Sequence, residues 1–341
     1  MLELTDPEDA FEALDDYLEG FWGREGEVAD LHLGYGLSAT LRRDGPPPRP
    51  EPCPLPLLAC RVRPEYSREP AAGSFRLGTW ERTWDDEGYG AAIDEVRAAI
   101  ARGDVYQVNL VQHLSAPFEG DHRAAAAALA ALRPLQPRPF AGSGWAVVSA
   151  SPELFLARRG SKLVTRPIKG TRPAGVDVEG AKDGAEHVMI VDLERNDLAR
   201  VCEPGTVVWP ELMVQHELAG VTHLVSTVEG TLRSGTSLAE ILAATFPGGS
   251  ITGAPKIAAI DLIASLEPVG RGASMGALGT IRPNGDFELA LTIRTLAVAE
   301  GRAHLWVGGG IVSDSHPEDE IEESWVKARP LLASLGSLVE A

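Results

Sequence analysis

Cysteine is scarce in this 341-residue chain: Cys53, Cys60 and Cys202 are the three thiols, with no CxxC pair and no Cys/His cluster at zinc spacing. That excludes a disulfide framework and a structural metal site of that kind, and leaves buried or idle thiols. Positive charge is thin as well. Against 49 Asp and Glu stand 31 Lys and Arg, a formal net charge of −18, and no basic run or basic-aromatic interleave occurs. Nucleic acid and anionic membrane surfaces both ask for clustered cations, so both are disfavoured as partners. No apolar stretch approaches a membrane span, and the acidic segment from Met1 to Glu19 lacks the apolar core of a signal peptide. The cytoplasm is the expected compartment.

What is present is enough for a sizeable core: 44% hydrophobic and 23% charged residues sit near globular averages. The length allows one large domain or two. An acidic start predicts a helix over 7–21, and the prolines at 46, 47, 48, 50, 52, 54 and 56 make residues 44–56 a loop or connector. From Tyr89 to Arg102 apolar residues recur with helical period and close at Gly103. A strand follows over 105–112, with Gln107 and Asn109 on one face. Further strands are expected at 145–149, 154–158, 162–166, 206–212, 287–294 and 303–307, and helices at 122–132, 181–200, 237–245, 255–265 and 317–335. Hairpin-like strand pairs interrupted by helices argue for an α+β domain with mostly antiparallel sheets.

Glycine-rich residues 248–256 tempt a phosphate-loop reading, but Ala254-Pro255 separates the glycine from Lys256, so the P-loop pattern fails. A turn feeding a helix that starts at Pro255 remains, with backbone N–H groups suited to a carboxylate, or with no role beyond helix entry. Carboxylates are more telling. Asp183 and Glu186 lie three apart in one helix, and Glu320 and Glu323 in another, so each pair projects from one face. Opposed across a cleft they would hold Mg²⁺, which accepts one or two carboxylates plus an anionic substrate; alone, such pairs are solvated surface.

Arg294 is expected to end a strand and could grip a carboxylate with both N–H donors, while Lys327 follows Glu323 at ion-pair spacing. Gly308-Gly309-Gly310 permits close backbone approach to a ligand, or is a bare turn. Lys169, bracketed by Pro167, Gly170 and Pro173, could act as a nucleophile if desolvation or neighbouring positive charge kept it neutral near pH 7. Gln107, Asn109, Glu153 and His223 are polar groups within apolar runs, each compatible with a satisfied core position. Asp192, Arg195, Asn196 and Asp197 read as a structural polar network.

Taken together these segments resemble the chorismate-utilising enzymes. The resemblance rests on GDVYQVNL (103–110), SPELFL (151–156), PIKGTRP (167–173), EHVMIVDLERNDL (186–198), THLVS (222–226), FPGGSITGAPK (246–256), TIRTL (292–296) and GGGIVSDS (308–315) through EIEES (320–324), in the family's order. It covers roughly residues 85–335. It implies two packed, mostly antiparallel sheets flanked by helices around a deep cleft for chorismate and Mg²⁺. Residues 1–84 would be a shortened N-terminal part of the same sandwich, 85–335 the catalytic region and 336–341 a tail.

Two positions sort the family's branches. Its water-adding members carry lysine where this chain has Gln107, and anthranilate synthases usually carry alanine where it has Lys169; the pair resembles the aminodeoxychorismate synthase component I branch, which feeds p-aminobenzoate and folate. The roles so implied are Lys169 as nucleophile, Glu153 as general acid and His223 as a further catalytic residue. Gln107, Gly170, Thr171, Ser250, Thr252, Arg294, Gly308, Gly309, Gly310 and Lys327 would bind substrate. Glu186, Glu320 and Glu323, with Asp183, would bind Mg²⁺. Ammonia would come from a separate glutamine amidotransferase subunit. Ser274 and Ala174 depart from the family, which often has an aromatic residue and an arginine there. An anthranilate-type enzyme and a non-catalytic chorismate-binding subunit are the rival readings.

Overall fold

The computed structural model describes residues 1–43, 45–67, 71–173, 181–218 and 221–336. Along the chain run β1 (Leu2–Leu4), α1 (Ala10–Leu18), β2 (Glu27–Leu33), β3 (Leu58–Pro64), β4 (Phe75–Leu77), β5 (Glu81–Arg82), α2 (Asp86–Arg102) and β6 (Gln107–Gly120). Then follow α3 (His122–Leu129), β7 (Phe140–Ala141), β8 (Trp145–Ser149), β9 (Leu154–Arg159), β10 (Lys162–Arg166), β11 (Ile168–Pro173) and α4 (Ala181–Ala199). The remainder is β12 (Val208–Leu218), β13 (Val221–Thr231), α5 (Leu238–Thr245), β14 (Gly253–Ala254), α6 (Lys256–Leu266), β15 (Ala277–Ile281), β16 (Phe287–Leu291), β17 (Thr295–Ala299), β18 (Arg302–Ile311) and α7 (Pro317–Ser334).

Helix ends follow capping chemistry. Asp85 accepts from the Gly88 N–H at the start of α2, and Gly103 closes it in the left-handed conformation. Ser237 and Glu240 form a reciprocal capping box on α5, and Pro317 opens α7 ahead of three acids. Two sheets result, and every recorded strand pair is antiparallel. The larger runs β1-β3-β2-β15-β16-β9-β10-β13-β11 with β12 on β13; the smaller runs β14-β6-β18-β17-β8-β7 with β4 and β5 on β6. One core cluster joins both sheets, with Leu31, Leu33 and Leu289 from the first and Val147 and Trp306 from the second. A second cluster packs Leu114, Phe118 and Leu305 of the smaller sheet against α3 and α7. The expected α+β sandwich is therefore observed, and β1, β2 and β3 bring the N-terminal residues into the larger sheet.

Several local expectations need correction. The first helix is shorter than 7–21, because Asp9 takes a left-handed conformation and α1 starts after it. Pro255 is extended and stands outside α6, so Lys256 is the first helical residue. The strand expected at 206–212 runs on through residue 218 and carries register shifts. The one expected at 287–294 stops at Leu291, and Arg294 has φ 49, a turn conformation. Gly308, Gly309 and Gly310 are no turn: they pair with Val111, Leu110 and Asn109 inside a long strand. The expected network on α4 splits, since Arg195 pairs with exposed Asp192 while buried Asp197 turns to Lys256. The three cysteines are free and buried.

Candidate active site

A cavity of about 330 Å³ lies where β6, β11, β18, α4 and α7 meet, a volume suited to a small organic ligand. Its acid wall begins at Glu153, which precedes β9 and is held by its own N–H donating to Ser151 Oγ at 3.3 Å. Glu153 Oε1 accepts from Ser250 Oγ at 2.7 Å and from the Ile168 N–H at 3.4 Å. Burial drives its pKa above the ordinary carboxylate value, outweighing Ser250, Lys169, the Ile168 amide and Arg294, all of which favour the charged form. A carboxylic acid that keeps its proton can serve as a proton donor.

Lys169 stands on β11, beside a register shift in the pairing with β13. Its Nζ donates to Glu186 Oε1 on α4 at 2.9 Å. Burial acts to lower the pKa of this lysine, but the charge and hydrogen bond of Glu186, then Glu153 and Glu323, more than reverse it and hold it above the ordinary value. The expectation of a depressed lysine is thus overturned for this state, because three carboxylates surround it. Gln107 Nε2 donates to the same Glu186 oxygen at 2.5 Å.

From α7 come Glu320, Glu323 and Lys327. Lys327 Nζ pairs with Glu323 Oε1 at 2.7 Å and donates to the Gly308 carbonyl at 2.9 Å, while Glu320 Oε1 accepts from Ser315 Oγ at 2.5 Å. The β18 glycines make this approach possible. A Cβ on Gly309 would lie 3.2 Å from Glu323 Oε1, 3.2 Å from Lys327 Nζ and 3.5 Å from Glu320 Oε2; on Gly310 it would collide with Gln107 Nε2 and Glu186 Oε1. Arg294 lines the cavity from its left-handed turn, its guanidinium pulled below its ordinary pKa by burial and supported by the charge of Glu153.

The structure therefore gathers Glu153, Lys169, Gly170, Glu186, Ser250, Arg294, Gly308, Gly310, Glu320, Glu323 and Lys327 around one space. Gln107 and Gly309 sit just behind its wall. Thr252 does not join them: its hydroxyl donates to the Gly248 carbonyl at 2.9 Å, and the residue is fully buried as a brace of the turn. The side chains of Thr171, Asp183 and His223, and the whole of Ala174, lie outside the described residues. Ser274 is buried with its hydroxyl on the Thr292 carbonyl at 3.3 Å. Sequence reasoning missed the apolar lining, Ile251, Met275, Ile293 and Trp306. Met275 reaches it from φ 59, a conformation no pattern of residue types announces.

Comparison with known proteins agrees with this geometry. A family model described as chorismate binding enzyme matches residues 28–333. Over 289 residues the chain is 40% identical to aminodeoxychorismate synthase component 1 of Klebsiella aerogenes, covering 80% of this chain and 63% of that one. Over 285 residues it is 42% identical to anthranilate synthase component 1 of Thermus thermophilus, covering 78% and 61%. The chain thus spans less than two thirds of the length of either relative. Anthranilate synthase component I from Streptococcus pneumoniae superposes with a TM-score of 0.81 at 25% identity, over 93% of this chain and 85% of the other. The menaquinone-specific isochorismate synthase of Escherichia coli shares the fold, with a TM-score of 0.74 at 18% identity over 98% and 84%. No helix among the described residues is long and apolar enough to cross a membrane. On the strength of the family match over residues 28–333 and the relatives near 40% identity, the chain belongs to the chorismate binding enzyme family.

Proposed function

We propose that the chain aminates chorismate to 4-amino-4-deoxychorismate in a Mg²⁺-dependent reaction, using ammonia from a separate glutamine amidotransferase subunit. The observation that carries this reading is the convergence on the same cavity of a half-buried lysine, its side chain 12% exposed, and a buried acid whose pKa burial raises: Lys169 and Glu153 both line it, and Glu153 is 4% exposed. The relatives' designation as component 1 supports a partner component.

In this mechanism the neutral Lys169 amine bonds to ring carbon 2, the ring electrons shift, and the bond from carbon 4 to its hydroxyl breaks. Glu153 supplies the proton and water leaves. Ammonia then bonds to carbon 4, the bond from Lys169 to carbon 2 breaks, and the surplus proton returns to Glu153. Burial acts to remove the Lys169 proton against the larger combined pull of Glu186, Glu153 and Glu323, and uptake of a proton by Glu153 would take one of those opposing charges away. Arg294 and Lys327 would bind the enolpyruvyl carboxylate, Arg294 by two parallel N–H donors.

The donor set fits magnesium. Among the described residues no three His, Cys, Asp or Glu side chains are gathered into a metal cage, but this cation keeps sites for water and substrate oxygens and asks for one or two carboxylates. Glu186, Glu320 and Glu323 would hold it at the glycine cradle, where Glu320 and Glu323 oxygens flank Gly309 and a Glu186 oxygen flanks Gly310. When bound, the ion offsets negative charge on the substrate as the carbon 4 to oxygen bond weakens.

One observation favours a second reading. Burial acts to lower the Lys169 pKa, but Glu186 foremost raises it above the ordinary value in this state, and a lysine that keeps its proton binds rather than attacks, as an anthranilate-type enzyme would need. The test is product identity. Incubated with chorismate, ammonium chloride and MgCl₂, the chain should yield the mass of 4-amino-4-deoxychorismate, lose activity with EDTA, and give no anthranilate fluorescence. Anthranilate with released pyruvate would replace the first reading by the second, and chorismate left unconsumed would sink both.

A further inference from the structure

We infer that Asn109 is a substrate-contacting residue of this cavity, donating an amide N–H to an oxygen of the bound dianion. The inference rests on reading the cavity as the chorismate site and adds to it a neutral, directional donor among the charged ones. The backbone of Asn109 is fixed at both ends: its N–H donates to the Thr252 carbonyl at 2.8 Å, and its carbonyl accepts from Arg271 Nη2 at 2.7 Å. Its side chain is a different matter. It lines the cavity at 7% exposure, and among the described residues its recorded polar contact is Nδ2 to Met275 Sδ at 3.9 Å. A thioether is a weak acceptor, so a buried carboxamide with two N–H donors is left with most of its capacity unspent.

Another amide of β6 shows what a satisfied one looks like. Gln112 donates to Ser324 Oγ at 2.6 Å and accepts from Arg82 Nε at 3.0 Å. Directly across the ladder from Asn109 stands Gly310, which offers no side chain to cover the amide. Nearby Met275, Ile251 and Trp306 are apolar walls that do not compete for it. A locked backbone, an open partner position and an unspent amide are the attributes of a group kept for a ligand.

The test compares the wild-type chain with Asn109→Leu, Asn109→Ser and Asn109→Asp, using chorismate, ammonium chloride and MgCl₂, with thermal melting of each variant. A lost hydrogen bond to a charged oxygen raises KM for chorismate roughly ten- to a hundredfold. The expected result is that rise in Asn109→Leu and Asn109→Ser, with kcat changed less than about threefold, and a larger rise in Asn109→Asp, whose charge repels the dianion. Melting should hardly move, because Thr252 and Arg271 grip main-chain atoms. If Asn109→Leu fails to fold, Asn109→Ser, which fits the same space, decides. Wild-type KM in a folded variant overturns the inference while leaving the substrate reading intact; a wild-type chain that neither binds nor consumes chorismate removes both.

Discussion

Arg271→Gln should unlock the turn that shapes the cavity. Arg271 is 1% exposed and spends its guanidinium on three segments at once. Nε and Nη2 donate to the two oxygens of Glu267 at 2.8 and 2.7 Å, Nη1 to the Ile251 carbonyl at 2.9 Å, and Nη2 to the Asn109 carbonyl at 2.7 Å. The cation also lies over the Tyr35 ring, 4.5 Å from its centre. Removing it leaves Glu267, itself 3% exposed, as a buried charge without its counter-ion. Such a loss costs about 3 to 5 kcal/mol, which at roughly 2 to 4 °C per kcal/mol for a chain of this order lowers Tm by about 6 to 20 °C. The double variant Arg271→Gln with Glu267→Gln removes the stranded charge while still offering an acceptor to the Val111 N–H, which bonds Glu267 Oε1 at 3.0 Å. It should therefore melt above the single variant, a coupling of about 1 to 3 kcal/mol. Calorimetry of the four chains measures both quantities. A single variant that melts within about 2 °C of wild type, or a double variant that melts lower than the single, would refute the reasoning.

Two other outcomes follow from local geometry. Gly310→Ala places a methyl group against Gln107 Nε2 and Glu186 Oε1, so turnover should fall at least tenfold with little change in melting; a fully active variant contradicts the assigned crowding. Glu194 is buried with its Oε2 accepting from Thr165 Oγ1 at 2.9 Å, and its pKa is pushed up to about 8 by burial first, then by the charges of Glu153 and Asp197, against Thr165 and Lys256. The folded state therefore binds this proton more tightly than the unfolded chain does, so stability falls as pH rises from the ordinary value of 4.5 through about 8. Urea titrations at several pH values across that window should show the slope in wild type and a flatter one in Glu194→Gln; equal slopes would contradict it.

The sequence was legible where chemistry is local. Alternation and turn residues announced β6, β8, β9, β10, β12, β16 and β18 but not β1, β2, β3, β11, β13 and β15 of the larger sheet, capping residues bounded α2, α5 and α7, and Glu186 on α4 lines the cavity together with Glu320 and Glu323 on α7. What stayed hidden depends on the third dimension. A run of three glycines is ambiguous between a turn and a strand, and only pairing with β6 makes it a cradle. The charge state of Lys169 follows from carboxylates 16 residues upstream, 17 downstream and 154 downstream in sequence, at Glu153, Glu186 and Glu323. The resemblance implied that Thr252 binds substrate, yet its hydroxyl is spent on the Gly248 carbonyl while Ser250 lines the cavity. The left-handed backbones of Met275 and Arg294 were equally invisible.

The central claim is that Lys169 forms a transient bond to the substrate ring. Intact-chain mass spectrometry after mixing with chorismate and MgCl₂, in the absence of ammonia, tests it most directly. The account predicts a protein species heavier by chorismate less one water, absent from Lys169→Ala and discharged when ammonium chloride is added. Wild-type turnover by a folded Lys169→Ala variant supplied with ammonium would contradict it.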